Sequence, residues 1–136
     1  MNASKLSSFI AANRSRKGLK IAAGDGYNAS DISAFVGDTK FDVVIDDGSH
    51  QAWDQARFFN VWKEHVAPGG YLFSEDVLST ANAQYIVQAF EGEQRRMSIV
   101  DRTLTTPSYC DERIVMYMAC GNNSASHRAA SGDRRR

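Results

Sequence analysis

Residues 41–46, Phe-Asp-Val-Val-Ile-Asp, run directly into Asp47, Gly48, Ser49 and His50. The apolar residues of this run do not alternate with polar ones, which is the pattern of a strand covered by helices on both faces. That constrains the fold more than any other feature of the chain. It predicts a central, parallel strand whose carboxyl end carries two carboxylates and an imidazole.

The neighbouring segments supply the helices that such a strand requires. From Gln51 to Val66 the apolar positions Ala52, Ala56, Phe59, Trp62 and Val66 fall on one helical face, and Pro68, Gly69 and Gly70 are expected to stop the element. Upstream, Leu-Lys-Ile-Ala-Ala-Gly-Asp-Gly, residues 19–26, reads as a strand that breaks at glycine. Ile32, Phe35 and Val36 then suggest a brief helix that Gly37 ends. Residues 71–77 are expected as a third strand, 81–90 as a helix, 97–101 as a fourth strand and 113–120 as a fifth. Leu6, Phe9 and Ile10 mark a short opening helix, with Arg14, Arg16 and Lys17 as solvated charges in its last turn. The alternation of strand and helix predicts an α/β, Rossmann-like domain with a mainly parallel sheet of about five strands and flanking helices. One domain over residues 1–120 is expected, followed by a polar and basic disordered tail over 121–136.

Charge and cysteine usage narrow the partners. The 16 basic and 16 acidic residues balance to zero, so no global field recruits nucleic acid or an anionic membrane. The basic run Arg134 to Arg136 is short and has no aromatic platform beside it, which gives little basis for nucleic-acid binding. A small uncharged partner is expected instead. With no leading apolar segment and no apolar run long enough to span a bilayer, Cys110 and Cys120 read as reduced thiols of a cytoplasmic protein. Cys120, within an apolar run, is expected to be buried as a small hydrophobe.

In α/β sheets, ligands bind outside the carboxyl ends of the strands. The residues expected there are Asp25, then Asp46, Asp47 and His50, then Glu75 and Asp76. Converging carboxylates repel one another unless protons or a cation lie between them, and oxygen ligands beside a histidine suit a divalent ion such as Mg²⁺. His50 is then placed to take a proton from a hydroxyl at neutral pH. An Asp after a strand also caps helices, and Asp47-Gly48 is an ordinary turn dipeptide. The chemical reading therefore rests on the set that ends in His50. Trp53 and Trp62 read as packing residues of the long helix, with Trp53 close enough to His50 to wall a pocket.

The segments FDVVIDDGSH, VAPGGYLFSEDV, IVDRT and DERIVMYMA resemble the carboxy-terminal half of class I S-adenosylmethionine-dependent methyltransferases. The nearest likeness is to the metal-dependent sugar and macrolide O-methyltransferases of the macrocin and mycinamicin type, and to related short phage and bacterial methyltransferases. The resemblance covers Leu19 to about Ala119. It implies Mg²⁺ held by Asp47 and Asp76, His50 as general base, and a methyl group passed from S-adenosylmethionine to a hydroxyl of a sugar or other small molecule. Residues 23–31 resemble the family segment that encloses the adenine end of the cofactor. That implicates Gly24 and Asp25 in cofactor binding, with Gly26, Tyr27 and Asp46 as further candidate cofactor residues. The family's first two strand-helix units, which carry its glycine-rich loop, and a third metal ligand have no counterpart upstream of Lys20.

Two other readings belong beside this one. Residues 19–30 also fit a strand followed by G-x-G-x-x-A, with Asp46 at the end of the next strand, which is the spacing of a dinucleotide-binding unit through Gly24-Asp25-Gly26. Alternatively the chain is a non-catalytic methyltransferase-fold remnant that acts as an interaction module, pairing an uncovered sheet edge with another copy or a larger partner.

Overall fold

The computed structural model describes residues 18, 20–101 and 113–120. The opening helix, Cys110 and the expected tail lie outside them. The chain divides into two units, with the boundary between Thr39 and Lys40.

In the first unit the described residues form one helix, α1 (Ala29–Val36). The Asn28 side chain caps it, accepting from the backbone N–H groups of Ser30 and Asp31 at 2.8 and 3.3 Å. Gly37, at φ 55°, closes it. Ile32 and Val36, one turn apart, are its buried residues. The strand expected over residues 19–26 is not formed: residues 20–23 are irregular and the chain turns at 26–27. Lys, Ala and Gly are poor strand formers, and among the described residues no strand pairs with this segment to compensate.

The second unit runs β1 (Phe41–Asp46), α2 (Ala52–Trp62), a 3₁₀ turn (Lys63–His65), β2 (Val66–Ser74), α3 (Thr80–Ala89), a second 3₁₀ turn (Gln94–Arg96), β3 (Met97–Asp101) and β4 (Arg113–Met118). The strand order is β1-β2-β4-β3. β1 and β2 are parallel, while β4 is antiparallel to both of its neighbours. The sheet is therefore mixed and has four strands among the described residues, where a mainly parallel sheet of about five was expected.

The expected position of β1 is corrected as well. It is parallel, yet it lies at one end of the sheet and pairs only with β2 among the described residues. Val43 and Ile45 are 50% and 55% exposed. Alternation along the paired strands places these two on the same face as Tyr71, Phe73, Met116 and Met118. The opposite face carries Leu72, Ser74 and Val115, all fully buried. Against it pack the apolar side chains of α2 and α3, including Phe58, Phe59, Ala83 and Ile86, with Phe90 from the end of α3. The ring of Phe90 bridges the layers, 6.3 Å from Phe59 and 4.7 Å from Tyr117 between centroids.

Helix α2 ends earlier than its apolar stripe suggests. Trp62 packs on Phe41 and Phe58, the 3₁₀ turn follows, and Val66 already belongs to β2. Pro68, Gly69 and Gly70 thus lie inside a strand rather than between elements. They do so at a bulge, since Phe41 pairs with Val66 while Val43 pairs with Tyr71. A Cβ at Gly70 would lie 2.6 Å from the Asp42 carbonyl oxygen, so only glycine allows this approach of β2 to β1.

Cys120 is exposed, not buried. β4 ends at Met118, and Cys120 follows the buried Ala119, beyond the sheet.

Candidate metal centre

The parallel pairing of β1 and β2 brings their carboxyl ends level, with Asp46 opposite Ser74. The Asp46 carboxylate is buried and accepts a hydrogen bond from the Ser74 hydroxyl at 2.9 Å. The backbone N–H of Glu75 donates to the Asp46 carbonyl at 3.0 Å. These bonds carry the sheet one residue past its last pair and fix where the next two loops begin.

The two loops then meet. His50 places Nε2 3.8 Å from Oδ1 of Asp47 and Nδ1 3.4 Å from Oδ2 of Asp76. One ligand atom from each of Asp47, His50 and Asp76 can be chosen so that all lie within 4.8 Å of one another. The side chain of His50 is 30% exposed, that of Asp76 45% and that of Asp47 74%. Among the described residues no Lys or Arg pairs with either carboxylate.

His50 and Asp76 both take left-handed backbone, at φ 57° and 50°. Such a conformation costs a residue with a Cβ about 1–2 kcal/mol, and it persists where the surroundings impose it. For His50 the restraint comes from Ser49, whose hydroxyl donates to Asp54 in the first turn of α2 at 2.7 Å and accepts from the Gln51 N–H at 3.3 Å. For Asp76 it comes from both sides. The Glu75 carbonyl accepts from Nε2 of Gln55 at 2.8 Å, and the Val77 N–H donates to the Arg113 carbonyl at 3.1 Å. Arg113 is itself held by Asp101 at 2.9 Å and reaches the Leu78 carbonyl.

The sequence singled out Asp47, His50 and Asp76, and the fold brings them together. Asp46 lies directly beneath them, with its carboxylate turned to Ser74. Glu75 contributes its backbone. Trp53 is 61% exposed on α2. Gln55, Ser49 and Ser74 were not foreseen; of these only Gln55 left a signal, as a polar residue one helical turn from Ala52 and Phe59 on the apolar stripe.

Gly24, Asp25, Gly26 and Tyr27 lie in the first unit, in a turn that carries local hydrogen bonds. The Asp25 carboxylate accepts from the Tyr27 N–H at 2.9 Å, and the Asp31 carboxylate accepts from the Asp25 N–H at 2.9 Å. A phosphate-binding loop needs such N–H groups aimed at the ligand after a strand. Here residues 20–23 form no strand, and a carboxylate already takes the Asp25 N–H.

Among the described residues no helix is long and apolar enough to cross a membrane. No protein-family model matches the chain, and no curated protein matches it.

Proposed function

We propose that this protein transfers a methyl group from S-adenosylmethionine to a hydroxyl oxygen of a small molecule, assisted by a divalent cation at Asp47 and Asp76. The observation that carries the reading is the convergence of Asp47, His50 and Asp76 within 4.8 Å beyond the carboxyl ends of two parallel strands. The resemblance of the DDGSH and PGGYLFSED segments to metal-dependent O-methyltransferases supplies the reaction.

The donor set suits a hard cation. Two carboxylates from separate loops, partly exposed and unpaired with Lys or Arg among the described residues, offer oxygen ligands and leave positions for water and an acceptor hydroxyl. When bound, Mg²⁺ would lower the pKa of that hydroxyl and offset the charge that develops on its oxygen. Asp47 and Asp76 orient the acceptor. His50 would take the hydroxyl proton, and S-adenosylmethionine, when bound, would supply the methyl group and leave as the neutral thioether. The protein's contribution is positioning and proton transfer.

The test is calorimetric titration with S-adenosylmethionine, with and without Mg²⁺, on the wild type and His50→Ala. Micromolar binding that persists in His50→Ala supports the reading. No binding by the wild type overturns it.

A second reading is favoured by the apolar sheet face. Val43, Ile45, Val100 and Met118 are 40–55% exposed, and β1 has an unpaired edge among the described residues. A methyltransferase-fold remnant that associates through this side would bind no cofactor and would sediment as an oligomer. Ile45→Lys would then return it to the monomer.

A further inference from the structure

We propose that Gln55 is the positioning residue of the Asp47, His50 and Asp76 cluster, with its buried amide clamping the Glu75 carbonyl so that Asp76 is held facing His50. The inference rests on the cation-site reading for its consequence and on geometry alone for the clamp.

Gln55 is 1% exposed, on the face of α2 that packs toward the sheet. Its Nε2 donates to the Glu75 carbonyl at 2.8 Å, while its Oε1 is buried and has no hydrogen-bond partner among the described residues. A buried amide oxygen without a partner costs about 1–3 kcal/mol, and Leu or Met would fill the same space on an otherwise apolar stripe without that cost. Packing therefore does not account for a glutamine here. What the amide supplies, and an apolar side chain does not, is a donor to Glu75.

The contact acts on the cluster through one peptide unit. The N–H of Glu75 is fixed by the Asp46 carbonyl and its C=O by Gln55, so both ends of the residue before Asp76 are tied, one to the sheet and one to the helix. The Val77 N–H is tied to Arg113. Asp76 is left at φ 50° with its carboxylate 3.4 Å from Nδ1 of His50. Since α2 begins just after His50, Gln55 couples the two loops through a single helical turn. Partners of this kind, one step removed from a ligand, commonly change metal affinity 10–100-fold.

The test compares Gln55→Met, which keeps volume and loses the donor, with Gln55→Glu, which keeps the shape and, in its protonated form, an O–H for the Glu75 carbonyl. Mn²⁺ affinity, measured by calorimetry on the full chain, is expected to fall tenfold or more in Gln55→Met and to stay within about threefold of wild type in Gln55→Glu. Independently of any cation, the ¹³Cα and ¹³Cβ shifts of Asp76 report its left-handed backbone. They are expected to move in Gln55→Met and not in Gln55→Glu. Unmoved Asp76 shifts in Gln55→Met overturn the clamp, whether or not Mn²⁺ binds. Moved shifts in a protein whose wild type binds no Mn²⁺ keep the clamp and overturn the cation site. If Gln55→Met does not fold, loss of the Asp76 signature in Gln55→Glu overturns the proposal and its retention supports it.

Discussion

Nδ1 of His50 and Oδ2 of Asp76 lie 3.4 Å apart, and both residues reach that distance from left-handed backbone. A stability cost is thus concentrated on two residues whose side chains meet. Glycine adopts this conformation freely, so Asp76→Gly relieves about 1 kcal/mol of strain, offset in part by the greater entropy of the unfolded chain. Asp76→Gly is expected to raise the thermal midpoint while abolishing cation binding. A midpoint lowered by several degrees would mean that the contacts of the Asp76 side chain outweigh its strain.

Cation binding should report on Asp47 and Asp76 equally. A cation that binds only the folded chain stabilises it by mass action, by about 2.7 kcal/mol at a hundredfold excess over the dissociation constant. Added Mn²⁺ is expected to raise the melting temperature of the wild type, and EDTA to reverse the rise. Asp47→Asn and Asp76→Asn should each flatten this response. A full response in Asp47→Asn would remove that residue from the ligand set.

Beneath the cluster, the hydroxyl of Ser74 donates to the buried carboxylate of Asp46 at 2.9 Å. Hydrogen bonds to charged groups contribute about 1.5–3 kcal/mol, and Ser74→Ala removes this one without opening a large cavity. Denaturant unfolding should show a loss in that range with an unchanged m-value. A loss below about 0.5 kcal/mol would mean that another donor takes over the carboxylate.

How much of the fold and the site was legible in the sequence depends on what kind of information each residue carries. Asp47, His50 and Asp76 were readable because they lie just past the ends of two strands, and parallel strands deliver their next residues to one rim. The placement of β1 was not. An unalternating run such as Val43, Val44 and Ile45 says that its residues are apolar, not that a neighbour covers them, and here Val43 and Ile45 stay half-exposed at the end of the sheet. The antiparallel insertion of β4 between β2 and β3 was equally silent, since direction is decided by cross-strand register such as Phe73 against Met116, which no single strand contains. Residues 20–23 form no strand because Lys20, Ala22 and Ala23 have low β propensity, which their apolar content alone does not reveal. Gln55 was visible as a polar interruption of a helix stripe, but its role depends on the Glu75 carbonyl, twenty residues away in the chain.

The bulge in β2 gives the most severe test of how the rim is positioned. At Gly70 an added Cβ would meet the Asp42 carbonyl oxygen at 2.6 Å, the Val66 Cγ1 at 2.9 Å and the Ala67 carbonyl oxygen at 3.0 Å. Two of these three are backbone atoms, so no rotamer change relieves the clash, and β2 must move away from β1. Overpacking of this sort typically costs about 1–3 kcal/mol. At Gly69 an added Cβ meets nothing within 4 Å, but φ is 84°, so Gly69→Ala carries only conformational strain of about 1 kcal/mol. Gly70→Ala is therefore expected to be the more destabilising of the two in denaturant unfolding. It should also weaken Mn²⁺ binding, because the separation of β1 and β2 sets the distance between the loops that carry His50 and Asp76. Equal destabilisation by the two substitutions would mean that β2 accommodates the Gly70 methyl, and unaltered Mn²⁺ affinity in a destabilised Gly70→Ala would uncouple the bulge from the rim.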